Sequence, residues 1–219
     1  MTEAIFVNSF VDSFIDKNIF QDTIVNKGIV FKQLETPKGI PDILVISKSD
    51  KTKVDKFAKN NQSLFINGNS KIISLLQRNR KGLIVDEIVK LVGLSRPYVI
   101  RVLKELIAAN FVNEVKNKFK VVATFKIPRI EITTLEFKMT DWKSALRQSL
   151  RYRSFSTRVF VVMPEVKKNL LKSQYSVFKK FNVGIAVYNE MSGEINFLFK
   201  PSKRRALSDN MYIDLLGRL

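Results

Sequence analysis

The chain has 219 residues, with 38 Lys and Arg against 20 Asp and Glu, and its formal net charge is +18. It contains neither Cys nor His, which excludes disulfides, zinc fingers, Ser-His-Asp triads and nucleophile systems built on Cys or His. Hydrophobic residues make up 45% of the chain and charged residues 26%, which excludes a disordered protein, and the length suits one or two domains.

The first predicted element is an amphipathic helix over residues 3–16. Its apolar residues recur at helical spacing on one face. The segment has acids instead of a basic run before these residues, so we expect no signal peptide. No stretch approaches the roughly 20 apolar residues that cross a bilayer, so we expect a cytoplasmic protein without membrane contact. The apolar face consists of Ile5, Phe6, Phe10, Phe14 and Ile15.

Two short β-branched segments, 29–34 and 42–47, flank a run of turn-forming residues. They predict an antiparallel hairpin with Asp42 at the head of its second strand. Residues 48–63 are polar and charged, which is typical of a linker or a mobile segment. We therefore assign residues 48–69 to a linker.

Residues 70–123 have the pattern of three helices followed by two short strands around a basic turn. Gly93 ends the second helix, because a left-handed residue closes a helix at low cost only when it is Gly. Ser95 caps the third helix, and Pro97 lies just inside it. This pattern resembles the winged helix-turn-helix family of DNA-binding modules over about 50 residues.

The resemblance implies that the third helix of this module enters the major groove and that the basic turn, the wing, contacts phosphates. The alternative is a winged helix used for protein contacts or dimerisation, with solvated basic residues. The DNA-contacting residues would be Arg96, Tyr98, Arg101 and Lys104 on the helix, and Lys116, Lys118 and Lys120 on the wing.

The remaining third of the chain alternates strands and helices. A basic cluster and a short apolar helix follow at the C terminus, where the helix either forms a dimer interface or closes a core. The predicted elements are a strand over 124–139, a helix over 140–155, a strand over 158–164, an amphipathic helix over 165–181 and a strand pair over 183–200.

The positive charge is uneven along the chain. Residues 1–69 carry 9 basic and 8 acidic residues, residues 70–123 carry 11 and 4, and residues 124–219 carry 18 and 8. Such an excess favours a polyanionic partner, of which nucleic acid is the usual one, although a Lys-rich proteome is the alternative. The distribution predicts two basic surfaces, one in the middle of the chain and one in its C-terminal half.

Three polar residues are candidates for chemistry. Side chains alternate along a strand, so Glu136 and Lys138 share a face. If their strand pairs with 42–47, Asp42 joins them at one end of the sheet. With no Cys or His, a metal must be held by oxygen, and Mg²⁺ takes one or two carboxylates with water and phosphate oxygens. The alternative is a surface ion pair and an ordinary turn aspartate.

Pro41-Asp42 and Glu136-Phe137-Lys138 resemble the two motifs of the PD-(D/E)XK nuclease superfamily, which has the restriction-endonuclease-like fold. Gln148 and Tyr152, four residues apart on one helix face, resemble the Q-x-x-x-Y motif of RecB-type nucleases.

The resemblance implies an α/β fold with a mixed sheet flanked by helices. The two motifs are 94 residues apart, whereas the family joins them by a tight hairpin. We therefore expect a discontinuous domain over 1–47 and 124–219, with the winged helix at 70–123 inserted into it. The alternative is that Asp42 is coincidental and that the domain begins near residue 124.

The resemblance also implies roles for these residues. Asp42 and Glu136 would bind Mg²⁺ or Mn²⁺, with the carbonyl of Phe137 as a third ligand, and Lys138 would position or deprotonate the attacking water or stabilise charge. Many family members have a further acid where Glu3 lies, although helix N termini attract acids in any case.

The helix that carries the third motif has further polar residues. Gln148 and Tyr152 would orient the lysine and the DNA. The flanking basic residues would contact the DNA backbone or form an ordinary solvated helix face. They are Arg147, Arg151 and Arg153.

The leading expectation is a Mg²⁺-dependent DNA endonuclease without a small-molecule cofactor. Two-strand cleavage needs two active sites, which favours a homodimer. The alternatives are a non-catalytic DNA-binding regulator or assembly subunit on the same scaffold, and an interaction protein whose basic surface does not bind nucleic acid.

Overall fold

The structure is a computed structural model, and it describes residues 2–17, 28–59 and 61–219. Within these residues the chain forms nine α-helices and eight β-strands. The helices are α1 (Glu3–Lys17), α2 (Lys48–Ala58), α3 (Asn67–Arg78), α4 (Val85–Val92), α5 (Arg96–Ala108), α6 (Trp142–Tyr152), α7 (Lys168–Ser173), α8 (Tyr175–Phe181) and α9 (Asp209–Arg218). The strands are β1 (Gly28–Lys32), β2 (Ile43–Ser47), β3 (Val112–Val115), β4 (Lys118–Val121), β5 (Ile132–Phe137), β6 (Arg158–Pro164), β7 (Gly184–Asn189) and β8 (Glu194–Phe199).

The chain divides into two compact units. Unit 1 consists of Met1–Lys51 and Ile130–Leu207, and unit 2 of Thr52–Arg129 and Ser208–Leu219. None of the helices in the described ranges is long and apolar enough to cross a membrane.

Unit 1 contains a six-stranded sheet in the order β1-β2-β5-β6-β7-β8. The β5–β6 and β6–β7 pairs are parallel, and the other neighbouring strands are antiparallel. Helices flank this mixed sheet, so the α/β class that the sequence predicts is confirmed. Ile43 lies opposite Leu135 and Ile46 opposite Ile132, so β2 and β5 are direct neighbours despite their separation in the chain.

The two faces of the sheet have different cores because side chains alternate along each strand. Phe6 and Phe10 of α1 pack on Phe137, with ring centroids 5.8 and 4.9 Å apart. On the other face, Val161 of β6 packs with Ala145 of α6. Glu136 lies next to Val161 in the register, so its side chain faces α6. Two residues of the apolar face predicted for α1, Phe14 and Ile15, have side chains that lie outside the described residues.

Residues 48–69 are not a linker, because α2 occupies Lys48–Ala58 and α3 begins at Asn67. The Ser47 hydroxyl accepts a hydrogen bond from the Asp50 amide at the start of α2. Val54 and Ala58, one helical turn apart, are both buried. The many lysines of this segment give it a polar composition that obscures a short apolar stripe.

The C-terminal segment 208–219 belongs to unit 2 and not to the sheet-containing unit, contrary to the predicted boundary. Asp214 of α9 accepts a hydrogen bond from the Asn67 amide, and Ile213 joins the core formed by α3, α4 and α5. The buried Leu215 and Leu216 show that this segment closes a core and does not present an apolar face for dimerisation.

Two other boundaries differ from the sequence prediction. The strand predicted over 124–139 is limited to β5, from Ile132 to Phe137. The helix predicted over 165–181 is a 3₁₀ turn at Glu165–Lys167 followed by α7 and α8. The break between α7 and α8 lies at Gln174, whose ψ of 6° departs from helical geometry.

Gly184 at the start of β7 permits close packing between β6 and β7. A Cβ atom on this residue would lie 2.2 Å from Cδ1 of the buried Phe160 ring. We expect Gly184→Ala to lower the free energy of unfolding by about 3 kcal/mol, because the ring has no room to move. Urea unfolding followed by circular dichroism measures this change. Phe160→Leu should recover part of the loss in the double variant, and a Gly184→Ala protein as stable as the wild type would contradict the packing.

Candidate functional site

The candidate site lies where the start of β2 meets the end of β5. Asp42 directly precedes β2, and Glu136 is the penultimate residue of β5. The Phe137 amide donates a hydrogen bond of 2.8 Å to Oδ2 of Asp42. This contact fixes the Asp42 carboxylate beside the end of β5, so the structure brings together the two acids that the sequence singled out.

Lys138 follows β5, and its side chain contacts Glu136 and Glu3. Its Nζ lies 3.7 Å from Oε1 of Glu136 and 2.7 Å from Oε1 of Glu3. Its amide donates to the Val162 carbonyl, which extends the β5–β6 pairing by one residue. The side chain of Lys138 is 20% exposed and that of Glu3 is 39% exposed. Glu3 therefore lies at the site and contacts Lys138 directly.

Burial governs the ionisation of the carboxylates. Glu136 is only 3% exposed, and burial, together with the charge of Asp42, raises the pKa of Glu136 to about 7 although Lys138 opposes this shift. Burial also raises the pKa of Asp42, against the effects of the Phe137 amide and Lys138. The site therefore holds two carboxyl groups whose charged forms lack sufficient compensation.

The surroundings of Lys138, unlike those of the two carboxyl groups, favour its charged form. Partial burial lowers its pKa, but the hydrogen bond from Lys138 to Glu3 and the charges of Glu3, Glu136 and Asp42 outweigh burial and raise the pKa above its ordinary value. The ammonium is therefore charged at neutral pH. It can donate hydrogen bonds or stabilise negative charge, but it does not act as a base in this state.

Helix α6 contributes the two residues of the third predicted motif. The Tyr152 hydroxyl donates to the Ile40 carbonyl at 3.2 Å, and burial followed by the Glu136 charge raises the pKa of Tyr152, which keeps the phenol protonated. Gln148 is half-buried, and no residue that the structure describes donates a hydrogen bond to its buried Oε1 atom. Both residues lie on the α6 side of the sheet, which Glu136 also faces.

The donor set suits a hard divalent cation. Among the described residues, none donates a hydrogen bond to the buried Oε2 atom of Glu136, which is costly for a carboxylate oxygen unless a cation or water compensates it. In the described part of the chain, no group of three or more acidic side chains is arranged to hold a metal by itself. Two carboxylates with water and substrate oxygens at the other positions fit Mg²⁺ or Mn²⁺.

Three arginines of the α6 region have different environments. Arg147 and Arg151 are exposed, as a role in DNA contact requires. Arg153 is buried and donates to the carbonyls of Phe181 and Asn182 at the end of α8. The expectation that Arg153 contacts DNA is therefore wrong, because its guanidinium stabilises a helix C terminus instead.

The predicted DNA-contacting residues of α5 take part in local interactions within unit 2. Arg96 forms an ion pair with Asp86. Arg101 pairs with Glu105 at 2.6 Å and lies over the ring of Tyr98, whose hydroxyl is bonded to Asn69 at 2.7 Å. The lysines are less engaged: Lys104, Lys116 and Lys118 are exposed and Lys120 is half-buried.

Sequence reasoning missed two exposed basic residues of unit 2, Arg80 and Lys81. They precede Gly82 in a turn, and the Arg-Lys-Gly triplet was an available signal for a basic turn. Sequence reasoning also did not anticipate the contact between Glu3 and Lys138, because the spacing of residues along the chain does not give the distance between α1 and the end of β5.

Comparisons of the chain with models of protein families, with curated proteins and with solved structures found no match. Two acids with raised pKa values and a charged lysine, gathered at one sheet end, can bind a divalent cation and stabilise an anionic substrate.

Proposed function

We propose that this protein is a Mg²⁺- or Mn²⁺-dependent DNA endonuclease of the PD-(D/E)XK type that hydrolyses phosphodiester bonds. The observation that carries the proposal is the convergence of Asp42, Glu136 and Lys138 at one end of the sheet, with a buried Glu136 oxygen that accepts no hydrogen bond from the described part of the chain. The net charge of +18 supports a polyanionic substrate.

Asp42 and Glu136 would hold the metal, with the carbonyl of Phe137 as a further ligand. When bound, a divalent ion supplies positive charge beside the scissile phosphate and lowers the pKa of a water molecule. The Lys138 ammonium donates to the attacking water or to a phosphate oxygen as negative charge develops. Glu3 holds this ammonium in place through the 2.7 Å contact.

Two α6 residues complete the proposed site. Tyr152 remains protonated and anchors the Ile40 carbonyl, two residues before Asp42, so it positions the loop that carries one metal ligand. The Gln148 amide would orient water or substrate, since its oxygen accepts no hydrogen bond within the described ranges. Arg147 and Arg151 would contact the DNA backbone near the cut.

We further propose that the sheet is a restriction-endonuclease-like core and that unit 2 contains a winged helix. Helices α3, α4 and α5 followed by the β3–β4 hairpin support this assignment, and they lie between β2 and β5 in the chain. The wing lysines would contact duplex DNA, whereas Arg96 and Arg101 of α5, which the resemblance also assigns to DNA contact with Tyr98 and Lys104, are paired with carboxylates. A homodimer in the cytoplasm would supply the two sites that a double-strand break needs.

A non-catalytic DNA-binding protein on the same scaffold is the second candidate. In that case Lys138 would serve only as the ion-pair partner of Glu3 and Glu136. The two candidates differ in one property: only the endonuclease produces new DNA ends.

Metal dependence tests the proposed function. We expect the protein to nick supercoiled plasmid and cut linear duplex DNA with Mg²⁺ or Mn²⁺. EDTA should stop the reaction, because the two carboxylates are negative and a bound cation is needed to offset the charge of the phosphate. Agarose gels and end-labelled duplexes measure the products. Cutting that persists in EDTA, or DNA binding with no cutting in either metal, would refute the endonuclease.

Lys138→Met separates the lysine from the metal ligands. We expect cleavage to fall at least about 100-fold, the scale of one lost charge-stabilising group, while Mg²⁺ still raises the melting temperature. Lys143→Met is the matched control, because Lys143 is an exposed lysine in the first turn of α6. If the Lys138 variant and the wild type cleaved DNA at the same rate, Lys138 would have no role in the mechanism.

A further inference from the structure

A short basic turn in unit 2 is fastened to the β3–β4 hairpin. The Gly82 amide donates to the Asn79 carbonyl at 2.9 Å, which closes a turn with Arg80 and Lys81 at its tip. Leu83 and Phe119 then exchange two backbone hydrogen bonds of 3.0 and 2.8 Å. The turn therefore has a fixed position beside β4.

This arrangement gathers basic side chains that are distant in sequence. A Cβ atom on Gly82 would lie 3.2 Å from Cβ of Lys118 and 3.5 Å from Cβ of Lys120, so the turn backbone lies against these two residues. Lys116 in the hairpin turn, whose φ is 51°, adds a third lysine. We call this the turn–wing surface, and it consists of Arg80, Lys81, Lys116, Lys118 and Lys120.

Carboxylates do not neutralise the turn–wing surface. Lys118 lies opposite Val115 and Lys120 opposite Asn113. Glu114 lies opposite Phe119, so its side chain points to the other face of the hairpin. In the part of the chain that the structure describes, none of the five basic residues forms an ion pair.

The exposed surface of α5 has a different charge balance. Its three basic residues share this surface with two carboxylates, since Arg96 pairs with Asp86 and Arg101 with Glu105. Exposed ion pairs stabilise a protein little, so DNA can separate them. The carboxylates remain, however, and repel approaching phosphates.

We infer that unit 2 binds duplex DNA through the turn–wing surface, by phosphate contacts, and that α5 contributes no base readout. Phosphate contacts fix a protein on the duplex without reading its sequence. The substrate class is therefore duplex DNA of any sequence. The inference rests on the DNA-binding part of the proposed function and is independent of cleavage.

Two triple variants with equal loss of charge test the inference. One is Arg80→Gln/Lys81→Gln/Lys118→Gln on the turn–wing surface, and the other is Arg96→Gln/Arg101→Gln/Lys104→Gln on α5. All six side chains are exposed, so both variants should fold, which circular dichroism checks. Fluorescence anisotropy in EDTA gives Kd for two labelled duplexes of unrelated sequence, each about 25 base pairs, over about 50–250 mM KCl.

We expect the turn–wing variant to bind at least about 10-fold more weakly at 100 mM KCl, with a salt slope smaller by about 3, because three phosphate contacts are lost. The α5 variant should change Kd less than about 3-fold, and the wild type should bind both duplexes alike. A larger loss in the α5 variant, or a wild-type preference for one duplex, would overturn the inference. A wild-type affinity that does not respond to salt would also overturn it and indicate an acidic protein as the partner. The absence of DNA cleavage would not overturn the inference, because the binding assay contains no metal.

Discussion

Replacing Glu136 with glutamine is expected to abolish metal-dependent DNA cleavage and, in metal-free buffer at pH 8, to make the protein more stable. The first effect follows from the loss of a charged ligand whose Oε2 atom has no hydrogen-bond partner in the ranges that the structure describes. We expect cleavage to fall at least about 1,000-fold, the scale of a missing charge-stabilising group at a reacting phosphate. The second effect follows from burial, because glutamine has nearly the shape of glutamate but no charge.

The stability effect depends on pH in a defined direction. Burial raises the pKa of Glu136 from 4.5 to about 7, so the folded state binds more protons than the unfolded state between these two values. The stability of the wild type therefore falls as the pH rises from about 4.5 to about 7 and stays low above it, by up to about 3 kcal/mol. Glu136→Gln lacks this loss, so the two proteins should differ most at pH 8 and least near pH 4.5.

Thermal melts in EDTA between pH 4.5 and 8 measure this difference. Mg²⁺ should raise the melting temperature of the wild type at pH 8 and have little effect on the variant, because the ion binds the charged carboxylate. Glu131→Gln is a matched control: Glu131 precedes the same strand and forms ion pairs with Arg158 and Lys203, so its loss should not stabilise the protein. Parallel pH profiles for wild type and Glu136→Gln would contradict the assigned environment.

Two substitutions of Asp42 should separate its chemical and structural roles. Asp42→Asn removes the charge but leaves a side-chain oxygen to accept the hydrogen bond from the Phe137 amide. We expect cleavage to fall at least about 1,000-fold, as for Glu136, with stability unchanged or slightly higher. Asp42→Ala loses the same activity and also leaves the buried Phe137 N–H without an acceptor, which costs about 1–3 kcal/mol.

Urea unfolding and a cleavage assay on the same three proteins distinguish these outcomes. DNA binding in EDTA should be nearly equal for all three, because Asp42 is not one of the basic residues proposed to bind phosphates. If Asp42→Asn still cut DNA at a rate near that of the wild type, Asp42 would not be a metal ligand. If both variants were equally stable, the hydrogen bond to Phe137 would not contribute to the fold.

The strand-based part of the site was accessible from sequence because strand geometry is periodic. Alternation places Glu136 and Lys138 on one face of β5, and the resemblance to the two nuclease motifs implied that this strand pairs with 42–47, which brings Asp42 to them. The contact between Glu3 and Lys138 was not accessible in the same way, because it depends on how α1 packs across the sheet through Phe6 and Phe10.

The errors lie where composition and packing disagree. Helix α2 has the composition of a linker, yet its apolar stripe is buried. For α9, the amphipathic pattern indicated a helix but not the core against which it packs, since an apolar stripe is compatible with any apolar surface. Arg153 lies beside two exposed arginines in the sequence, and this position does not predict that its guanidinium bonds to the end of α8.

The long connection between β2 and β5 leaves the sheet at Ser47 and returns before Ile132. This is the end of the antiparallel pair that lies away from Asp42 and Glu136. The register of the two strands, rather than the length of the excursion between them, therefore sets the separation of the carboxylates. The connection is modular in this sense: a segment of a different length at this place would leave the geometry of the acidic pair unchanged.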